Sequence, residues 1–383
     1  MAKTGVRTET PTTPREAAEA LRALSSMGTT FRARGGGTKF GWGAEGEAGA
    51  IVSTQSLGEV KEHNAADMTA VLGAGTPLAI AQKAFAESSQ MLALDPPLID
   101  DAATIGGIIA TNDSGPLRHR YRAPRDLVLG MTIALSDGTL ARSGSRVIKN
   151  VAGYDIAKLF TGSLGTLGLI VEVIVRLHPL PPRTVTVVGA GDDPKLIQEG
   201  SLALGHAPLE IEAMDVSWND GSGRVLARFG GVAPEGQSAT ARTLLEKAGL
   251  DVTETTDDAA LWTEQRDRQR AGDDELSVKL SALPADLAEI IAATERFGGS
   301  LVGRAGLGLC WLRAPSTTPV DDLRREVGAW ARHCVLLDAP AGVRAEADVW
   351  GEPDPVTLQL MRAIKSRFDP AGVCAPGLYM GGI

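Results

Sequence analysis

The pattern of apolar and polar residues predicts that the first part of the chain mixes short strands with helices. Apolar residues at helical spacing follow Pro14 and Pro77 and predict a helix after each proline. β-Branched runs between glycine-rich turns predict strands at 29–34, 51–54, 69–75, 126–135 and 167–177. The proline cluster at 178–182 then marks a domain boundary, because it can continue neither a helix nor a central strand.

Beyond this cluster the pattern predicts strands and helices in alternation. The strands are expected at 224–229, 251–255, 276–280, 301–311 and 335–338. The helices are expected at 236–248, 258–270, 285–297, 320–333 and 354–368. This order fits an open sheet with helices on one face, in the manner of a duplicated ferredoxin-like unit. We therefore predict an α+β fold.

The length of the chain predicts more than one domain, since 383 residues exceed the roughly 250–300 that a single core organises. We expect a loose arm over residues 1–14, a first domain over 15–182 and a cap domain over 183–340. The last segment, 341–383, is expected to pack back toward the first domain.

Charge and cysteine content narrow the class of protein. The 47 acidic and 38 basic residues give a net charge of −9, which disfavours binding to nucleic acid or to an anionic membrane surface. Cys310, Cys334 and Cys374 form no metal or iron–sulfur motif. No apolar run reaches the length of a membrane span, and the N-terminus lacks the pattern of a signal peptide. We expect a cytoplasmic protein without a bound metal.

Three glycine-rich clusters are candidates for binding a ligand through the backbone. The first, Arg-Gly-Gly-Gly-Thr-Lys at 34–39, follows a predicted strand and adds positive charge suited to a pyrophosphate. It matches neither the P-loop nor the GxGxxG pattern. Taken alone, a triple glycine is also a common flexible turn.

The other two clusters are equally ambiguous when each is taken alone. Residues 104–116 combine small residues with short polar side chains and could line a flat ring, or could form a buried loop. Residues 149–155 and 162–170 could wrap a ligand through spaced glycines. Lys149 and Asp155 could instead be an ordinary surface ion pair.

The combination of the clusters resembles a known family. In their order and spacing they look like the PCMH-type FAD-binding domain of the vanillyl-alcohol oxidase superfamily. The stretch 146–155, Arg-Val-Ile-Lys-Asn-Val-Ala-Gly-Tyr-Asp, is similar to the signature of the glycolate oxidase FAD-binding subunit, the E-type subunit. The resemblance covers 15–182 and returns near the C-terminus at Lys365, 368–370, Gly372 and 376–377.

This resemblance implies which residues bind FAD. The pyrophosphate would be held by Arg34, Gly35, Gly36, Gly37, Thr38 and Lys39. The flavin and ribityl chain would be lined by Thr104, Ile105, Gly106, Gly107, Ala110, Thr111, Asn112, Ser114 and Gly115. The far side would be wrapped by Gly165, Thr166, Gly168 and Ile170. Relatives with covalent flavin carry a histidine at the position of Thr38, so we expect non-covalent FAD.

The catalytic residues are less well indicated. A 2-hydroxy acid needs a cation for its carboxylate and a base for its hydroxyl proton. Arg304 is the candidate cation, although an arginine there could be structural. His119 and Tyr121, just after the second cluster, are the other candidates for the active site. Ala375 stands where tails of the family usually have asparagine, which removes an amide near the flavin ring.

The resemblance implies an FAD-dependent oxidation of a small 2-hydroxy acid of the glycolate or D-lactate class, with hydride transfer to the flavin N5. It also implies partners, namely a D-type flavoprotein and an iron–sulfur subunit, through which the protein could associate with a membrane. Two alternatives remain open. The chain could be an FAD-binding subunit that only assembles the complex, or a stand-alone oxidase of another alcohol such as an alditol.

Overall fold

The computed structural model describes residues 6–46, 48–98, 103–144 and 156–383. The chain forms two compact units. Unit 1 comprises Met1–Ser114, Ala123–Leu180 and Glu352–Ile383, and unit 2 comprises Gly115–Arg122 and Pro181–Gly351. The sequence pattern predicted domain boundaries at residues 182 and 340. It did not indicate that Gly115–Arg122 belongs to unit 2.

The described part of unit 1 contains a small parallel sheet and a larger antiparallel sheet. The parallel strands run in the order Arg7–Glu9, Ala50–Ser53 and Phe31–Arg34. The antiparallel strands run in the order Val60–Asn64, Thr69–Gly73, Leu169–Arg176, Val128–Ala134 and Leu140–Gly144. A two-residue ladder pairs Gln90–Met91 with His178–Pro179. The helices are Pro14–Ser26, Leu78–Ala86, Ile105–Thr111, Pro124–Leu127, Ile156–Phe160 and Pro355–Phe368, with 3-10 turns at Gln55–Leu57 and Met380–Gly382.

The first helix, Pro14–Ser26, follows directly from its sequence. The Thr13 hydroxyl caps it by accepting a hydrogen bond from the Glu16 amide at 3.1 Å, and Pro14 is preorganised for the first turn. Its buried face, with Leu21 and Leu24, packs into a core that includes Phe31 of the parallel sheet. Burying each such side chain contributes about 1.5–3 kcal/mol. The helix predicted after Pro14 is confirmed.

Unit 2 is built on an eight-stranded antiparallel sheet formed by the described residues. Its order is Asp251–Thr255, Thr184–Gly191, Ser222–Gly230, Ala213–Asn219, Ser300–Arg304, Leu309–Pro315, Glu275–Ala282 and Ala331–Asp338. Each half has the strand order of a ferredoxin-like unit, and the halves join edge to edge between Ala213–Asn219 and Ser300–Arg304. The predicted duplicated arrangement and the α+β fold class are confirmed.

Most helices of unit 2 cover one face of this sheet, whereas Ala259–Asp267 packs against the other face, where Trp262 lies in an apolar cluster with Leu226. The helices of unit 2 are Arg118–Tyr121, Pro194–His206, Glu235–Lys247, Ala259–Asp267, Leu287–Arg296, Val320–Val327 and Ala341–Glu346, with 3-10 turns at Pro284–Asp286 and Ala305–Leu307. Apolar strand residues such as Val216 and Val278 pack with Ile197, Leu245 and Ile290 of the helices. Since side chains alternate between the two faces of a strand, charged residues such as Asp215 and Arg304 lie on the opposite face.

Some predicted elements of unit 2 were wrong in extent. The predicted strand 301–311 is a hairpin of Ser300–Arg304 and Leu309–Pro315, because Gly308, at φ +63°, turns the chain between them. The predicted helix 320–333 ends at Val327, because Ala331–Asp338 pairs with Glu275–Ala282 instead. The prediction also missed a first group of elements, Thr184–Gly191, Pro194–His206 and Ala213–Asn219.

The C-terminal segment of unit 1 returns to the parallel sheet. After the helix Pro355–Phe368, the Phe31 amide donates to the Val373 carbonyl at 2.8 Å, and the Ala375 amide donates to the Phe31 carbonyl at 2.8 Å. Ala375 has φ 44°, a left-handed conformation that alanine adopts at an energetic penalty. Within the described residues, no helix has the length and apolar character needed to cross a membrane.

Candidate functional site

A cleft in unit 1 brings the three glycine-rich clusters together. The space between its walls amounts to about 790 Å³, including the part that is open to solvent. From the predicted set, its wall contains Arg34, Gly35, Gly36, Gly37, Thr38, Lys39, Thr104, Gly106, Gly107, Ala110, Thr111, Gly165, Gly168 and Ile170. The wall also contains residues that the sequence patterns did not indicate: Arg32, Ala33, Phe40, Trp42, Thr54, Leu164, Leu169 and Leu378.

The strand Phe31–Arg34 carries the first cluster to the cleft. Gly35 lies so close to the second cluster that a Cβ built on it would stand 2.1 Å from the Thr104 Oγ1. Gly37 has φ +84°, a conformation that favours glycine. The backbone of this cluster can therefore approach its neighbouring loop and a ligand only because it lacks side chains.

The second cluster forms a short helix, Ile105–Thr111, capped by Thr104, whose hydroxyl accepts a hydrogen bond from the Gly107 amide at 3.4 Å. A Cβ on Gly106 would stand 2.7 Å from the Ala74 Cβ, so this helix also packs closely. Asn112 ends the helix in the left-handed conformation, and its Oδ1 is buried without a hydrogen-bond partner. A buried acceptor of this kind is destabilising unless a donor reaches it.

The third cluster reaches the cleft by pairing with the second. The amides of Gly162 and Leu164 donate to the carbonyls of Ile109 at 2.9 Å and Ala110 at 2.8 Å. Gly165, with φ +79°, then turns the chain, and a Cβ on it would meet nothing closer than the Ala33 Cβ at 3.7 Å. The three clusters are thus linked through the backbone.

Positive charge in the cleft is concentrated in and next to the first glycine cluster. Arg32 donates to the Phe40 carbonyl at 2.6 Å and stacks on the Phe40 ring at 4.3 Å. Arg34 is exposed and lies 5.6 Å from the same ring centroid. The buried Lys39 Nζ lies 3.2 Å from the Asp113 Oδ2, and both side chains are almost fully enclosed. Lys39 is therefore neutralised by Asp113, whereas the exposed guanidinium of Arg34 can bind a phosphate.

Five predicted cofactor residues do not line the cleft: Ile105, Asn112, Ser114, Gly115 and Thr166. Ile105 is completely buried, and the Thr166 hydroxyl donates to the Ser163 carbonyl at 2.8 Å. Gly115 belongs to unit 2. The signature stretch with Lys149 and Asp155 lies outside the described residues.

Arg304 is fully buried in unit 2. Its Nε lies 3.6 Å from the Asp215 Oδ1, and its guanidinium stacks on Trp311 at 4.3 Å from the ring centroid. None of its three guanidinium nitrogens has a hydrogen-bond partner. These donors could bind a carboxylate, and the pairing with Asp215 equally suits a structural arginine. The role of Arg304 as a carboxylate clamp stays a prediction.

His119 and Arg304 flank the same turn of unit 2. A Cβ on Gly306, two residues after Arg304, would stand 3.4 Å from the His119 Cε1. The His119 Nδ1 is buried without a hydrogen-bond partner, and burial lowers the pKa of His119. The imidazole is therefore neutral at pH 7 and can accept a proton.

Tyr121 is anchored inside unit 2. Its hydroxyl donates to the Glu212 Oε1 at 3.2 Å. Burial, and then the Glu212 carboxylate, raise the pKa of Tyr121, while burial raises the pKa of Glu212. Tyr121 is consequently protonated at neutral pH and is engaged with a buried carboxyl group. These contacts do not test the predicted catalytic role of Tyr121, which stays a prediction.

The described residues contain no group of three or more His, Cys, Asp or Glu side chains close enough to hold a metal ion. The cysteines are not disulfide-bonded. Burial raises the pKa of Cys310 to about 12 and that of Cys334 to about 11, so both thiols are protonated at neutral pH.

Comparison with known proteins connects this cleft to a cofactor. Residues 8–144 match the family model described as "FAD binding domain". This range contains the first two glycine clusters and the strands and helices that present them. The expected FAD-binding character of unit 1 is confirmed.

The matching relatives include an FAD-linked oxidoreductase, an oxidase subunit and a dehydrogenase. The chain is 28% identical to an uncharacterised FAD-linked oxidoreductase of Mycobacterium tuberculosis, over 97% of this chain and 90% of that protein. It is 29% identical to the glycolate oxidase subunit GlcE of Escherichia coli, over 79% of each chain. It is 27% identical to the D-2-hydroxyglutarate dehydrogenase of Xanthomonas citri pv. viticola, over 96% of this chain and 87% of that protein.

Solved structures share the fold. An alkyldihydroxyacetonephosphate synthase superposes with a TM-score of 0.71 at 14% identity, covering 96% of this chain and 76% of the synthase. A chitooligosaccharide oxidase superposes with a TM-score of 0.68 at 17% identity, covering 96% of this chain and 90% of the oxidase. At these identities the likeness concerns the fold alone.

The close approach of Gly35 to Thr104 generates a first prediction. Gly35→Ala should weaken FAD binding by about tenfold or more, since the new Cβ must displace the Thr104 hydroxyl that caps the second cluster. Gly41→Ala is the matched control, because a Cβ there meets nothing within 4 Å. Titration of the apoprotein with FAD, followed by flavin fluorescence, measures both. Equal affinity of the two variants would contradict the assignment.

Thr38 generates a second prediction. A threonine hydroxyl cannot form the histidine–flavin bond of covalent relatives, so the bound flavin should be released when the holoprotein is precipitated with acid. Absorbance of the supernatant in the visible range measures this release. Flavin that remains in the washed pellet would show a covalent link elsewhere on the chain.

Proposed function

We propose that this chain, whose residues 8–144 match an FAD-binding domain and which is related to FAD-linked oxidoreductases, oxidises a small 2-hydroxy acid of the glycolate or D-lactate class. The observation that carries the proposal is the glycine-lined, arginine-bearing cleft of unit 1. Relatives named as a glycolate oxidase subunit and as a D-2-hydroxyglutarate dehydrogenase support the choice of a hydroxy acid.

In this proposal the cleft holds FAD through backbone and charge. Gly35, Gly37 and Gly165 give the backbone access to the cofactor without side-chain bulk. Arg34 offsets negative charge of the pyrophosphate with its exposed guanidinium, because Lys39 is already paired with Asp113. Residues of the third cluster, among them Gly165 and Gly168, complete the lining of the cleft.

FAD held in this cleft would supply the redox chemistry by accepting a hydride from the carbon that bears the hydroxyl group. Arg304 binds the substrate carboxylate through its guanidinium donors. His119 takes the hydroxyl proton on its unoccupied Nδ1. The acid loses one hydride and one proton and becomes the 2-oxo acid, so atoms and charge balance.

We further propose partner subunits. The Escherichia coli relative is named as one subunit of glycolate oxidase, and this chain supplies no clustered cysteines for an iron–sulfur centre. Electrons would then leave to a D-type flavoprotein and an iron–sulfur subunit, or to a diffusible acceptor. In such an assembly this chain would be cytoplasmic and associated with the membrane only through its partners.

A second candidate function is an FAD-binding subunit without its own substrate oxidation. The enclosure of Arg304 and its pairing with Asp215 favour this alternative, because a guanidinium engaged in a buried pair is less available to a substrate. The presence of Ala375 in place of asparagine favours it as well.

Anaerobic reduction separates the candidates. If the proposal holds, glycolate or D-lactate should bleach the bound flavin of the purified chain, and Arg304→Met should require a much higher concentration of acid while its flavin spectrum is unchanged. No bleaching by either acid would support the assembly role. Bleaching by an alditol alone would assign a different oxidase. Stopped-flow absorbance of the flavin band gives these outcomes directly.

The lowered pKa of His119 predicts the pH dependence of bleaching. The neutral imidazole is the active base, so the rate should be constant above the ordinary histidine range and fall as pH drops through the lowered pKa. His119→Asn should reduce the rate by roughly 10²–10⁴-fold and abolish this acid limb. His206→Asn, an exposed histidine of the same unit, is the control and should retain the profile. An acid limb retained in His119→Asn would assign the base elsewhere.

A further inference from the structure

One ammonium group ties the C-terminal segment to the third glycine cluster inside unit 1. The Lys365 Nζ donates to the Thr166 carbonyl, the Asp369 Oδ2 and the Cys374 carbonyl, each at 2.7 Å. The Lys365 side chain is only 13% exposed. All three donors of the ammonium are therefore used, and two of them reach main-chain carbonyls.

Asp369 forms an ion pair with the Lys365 ammonium group. Its side chain is fully buried and also accepts hydrogen bonds from the amides of Val373 at 3.3 Å and Cys374 at 2.8 Å. Burial alone would raise the pKa of Asp369, but the hydrogen bonds from Lys365 and Cys374 outweigh it and leave the pKa below its usual value. The carboxylate is thus charged at neutral pH, and it organises the turn that follows the helix.

The residues after this turn reach both the strand that carries the first glycine cluster and the wall of the cleft. Val373 and Ala375 bond to Phe31, the first residue of the strand that carries the first glycine cluster. Leu378 lines the cleft itself. A Cβ on Gly43, just past the first cluster, would stand 2.7 Å from Leu378, which shows how closely the segment packs there. Lys365 therefore connects Thr166, which follows the cleft residue Gly165, with the segment that bonds to Phe31 and reaches the cleft at Leu378.

We propose that Lys365 is a positioning residue for FAD binding, which fixes the wall of the cleft by holding the Thr166 carbonyl and the segment 369–378 together. FAD binding and the ordering of this segment are then coupled in both directions. The proposal requires FAD in the cleft and is independent of the substrate, so it can fail or succeed separately from the oxidation of a hydroxy acid.

The first experiment compares FAD release from holoproteins. Lys365→Met removes the ammonium and leaves two carbonyls and a carboxylate without their donor, so FAD should dissociate about 10–100-fold faster than from the unchanged protein. Arg367→Met is the matched control, since Arg367 is exposed on the same helix. The rise of flavin fluorescence after dilution measures the release. Unchanged release in Lys365→Met, or equally fast release in Arg367→Met, would overturn the proposal.

A second readout separates positioning from a general loss of stability and does not depend on how Lys365→Met folds. In the unchanged protein, FAD should slow hydrogen exchange at the amides of Val373, Cys374 and Ala375 by about tenfold or more. Amides of the strand Glu275–Ala282 in unit 2 serve as the internal reference. Identical exchange of the C-terminal amides with and without FAD would refute the coupling.

Discussion

The cleft of unit 1 depends on main-chain segments approaching each other more closely than side chains permit. Gly35 and Thr104 meet at a distance that no Cβ could occupy, and Gly106 packs equally tightly on Ala74. Because Gly35 packs directly on Thr104, the first and second glycine clusters line the same cleft. A side chain added at the point of contact would push the two loops apart and disrupt the cleft.

Charge in the cleft follows from the same closeness. In a protein with net charge −9, an anionic cofactor needs local cations. Lys39, although it lies in the first cluster, faces Asp113 of the second at 3.2 Å. This buried pair joins the two loops, and removal of either partner would leave an isolated charge in the interior. Arg32 and Arg34, which lie against the Phe40 ring, add further positive charge to the wall of the cleft.

The C-terminal segment adds a second level of organisation. It supplies little apolar burial through its helix, which has no buried residue of its own. Its attachment rests on the hydrogen bonds of Lys365 and Asp369, on the backbone pairing with Phe31 and on the burial of Val373 and Cys374 in the core beside the helix Pro14–Ser26. Polar bonds of this kind are directional, so they set the position of Leu378 in the cleft wall more sharply than apolar packing would. Unit 2 is organised differently, around a duplicated sheet whose apolar face carries the helices.

The sequence by itself determined the features that depend on neighbouring residues: the capped first helix, the ferredoxin-like alternation of unit 2 and the glycine clusters that identify the FAD-binding domain. Only the tertiary structure decided which distant residues complete the site. Lys365 and Thr166 are 199 positions apart, and neither Leu378 nor Asp113 carries a local signal of its partner. The tertiary structure likewise decided that Arg304 is buried beside Asp215 and that Gly115–Arg122 belongs to unit 2. Local sequence patterns indicate backbone preference and burial. The contacts named here join residues that are distant in the sequence, and no local pattern specifies them.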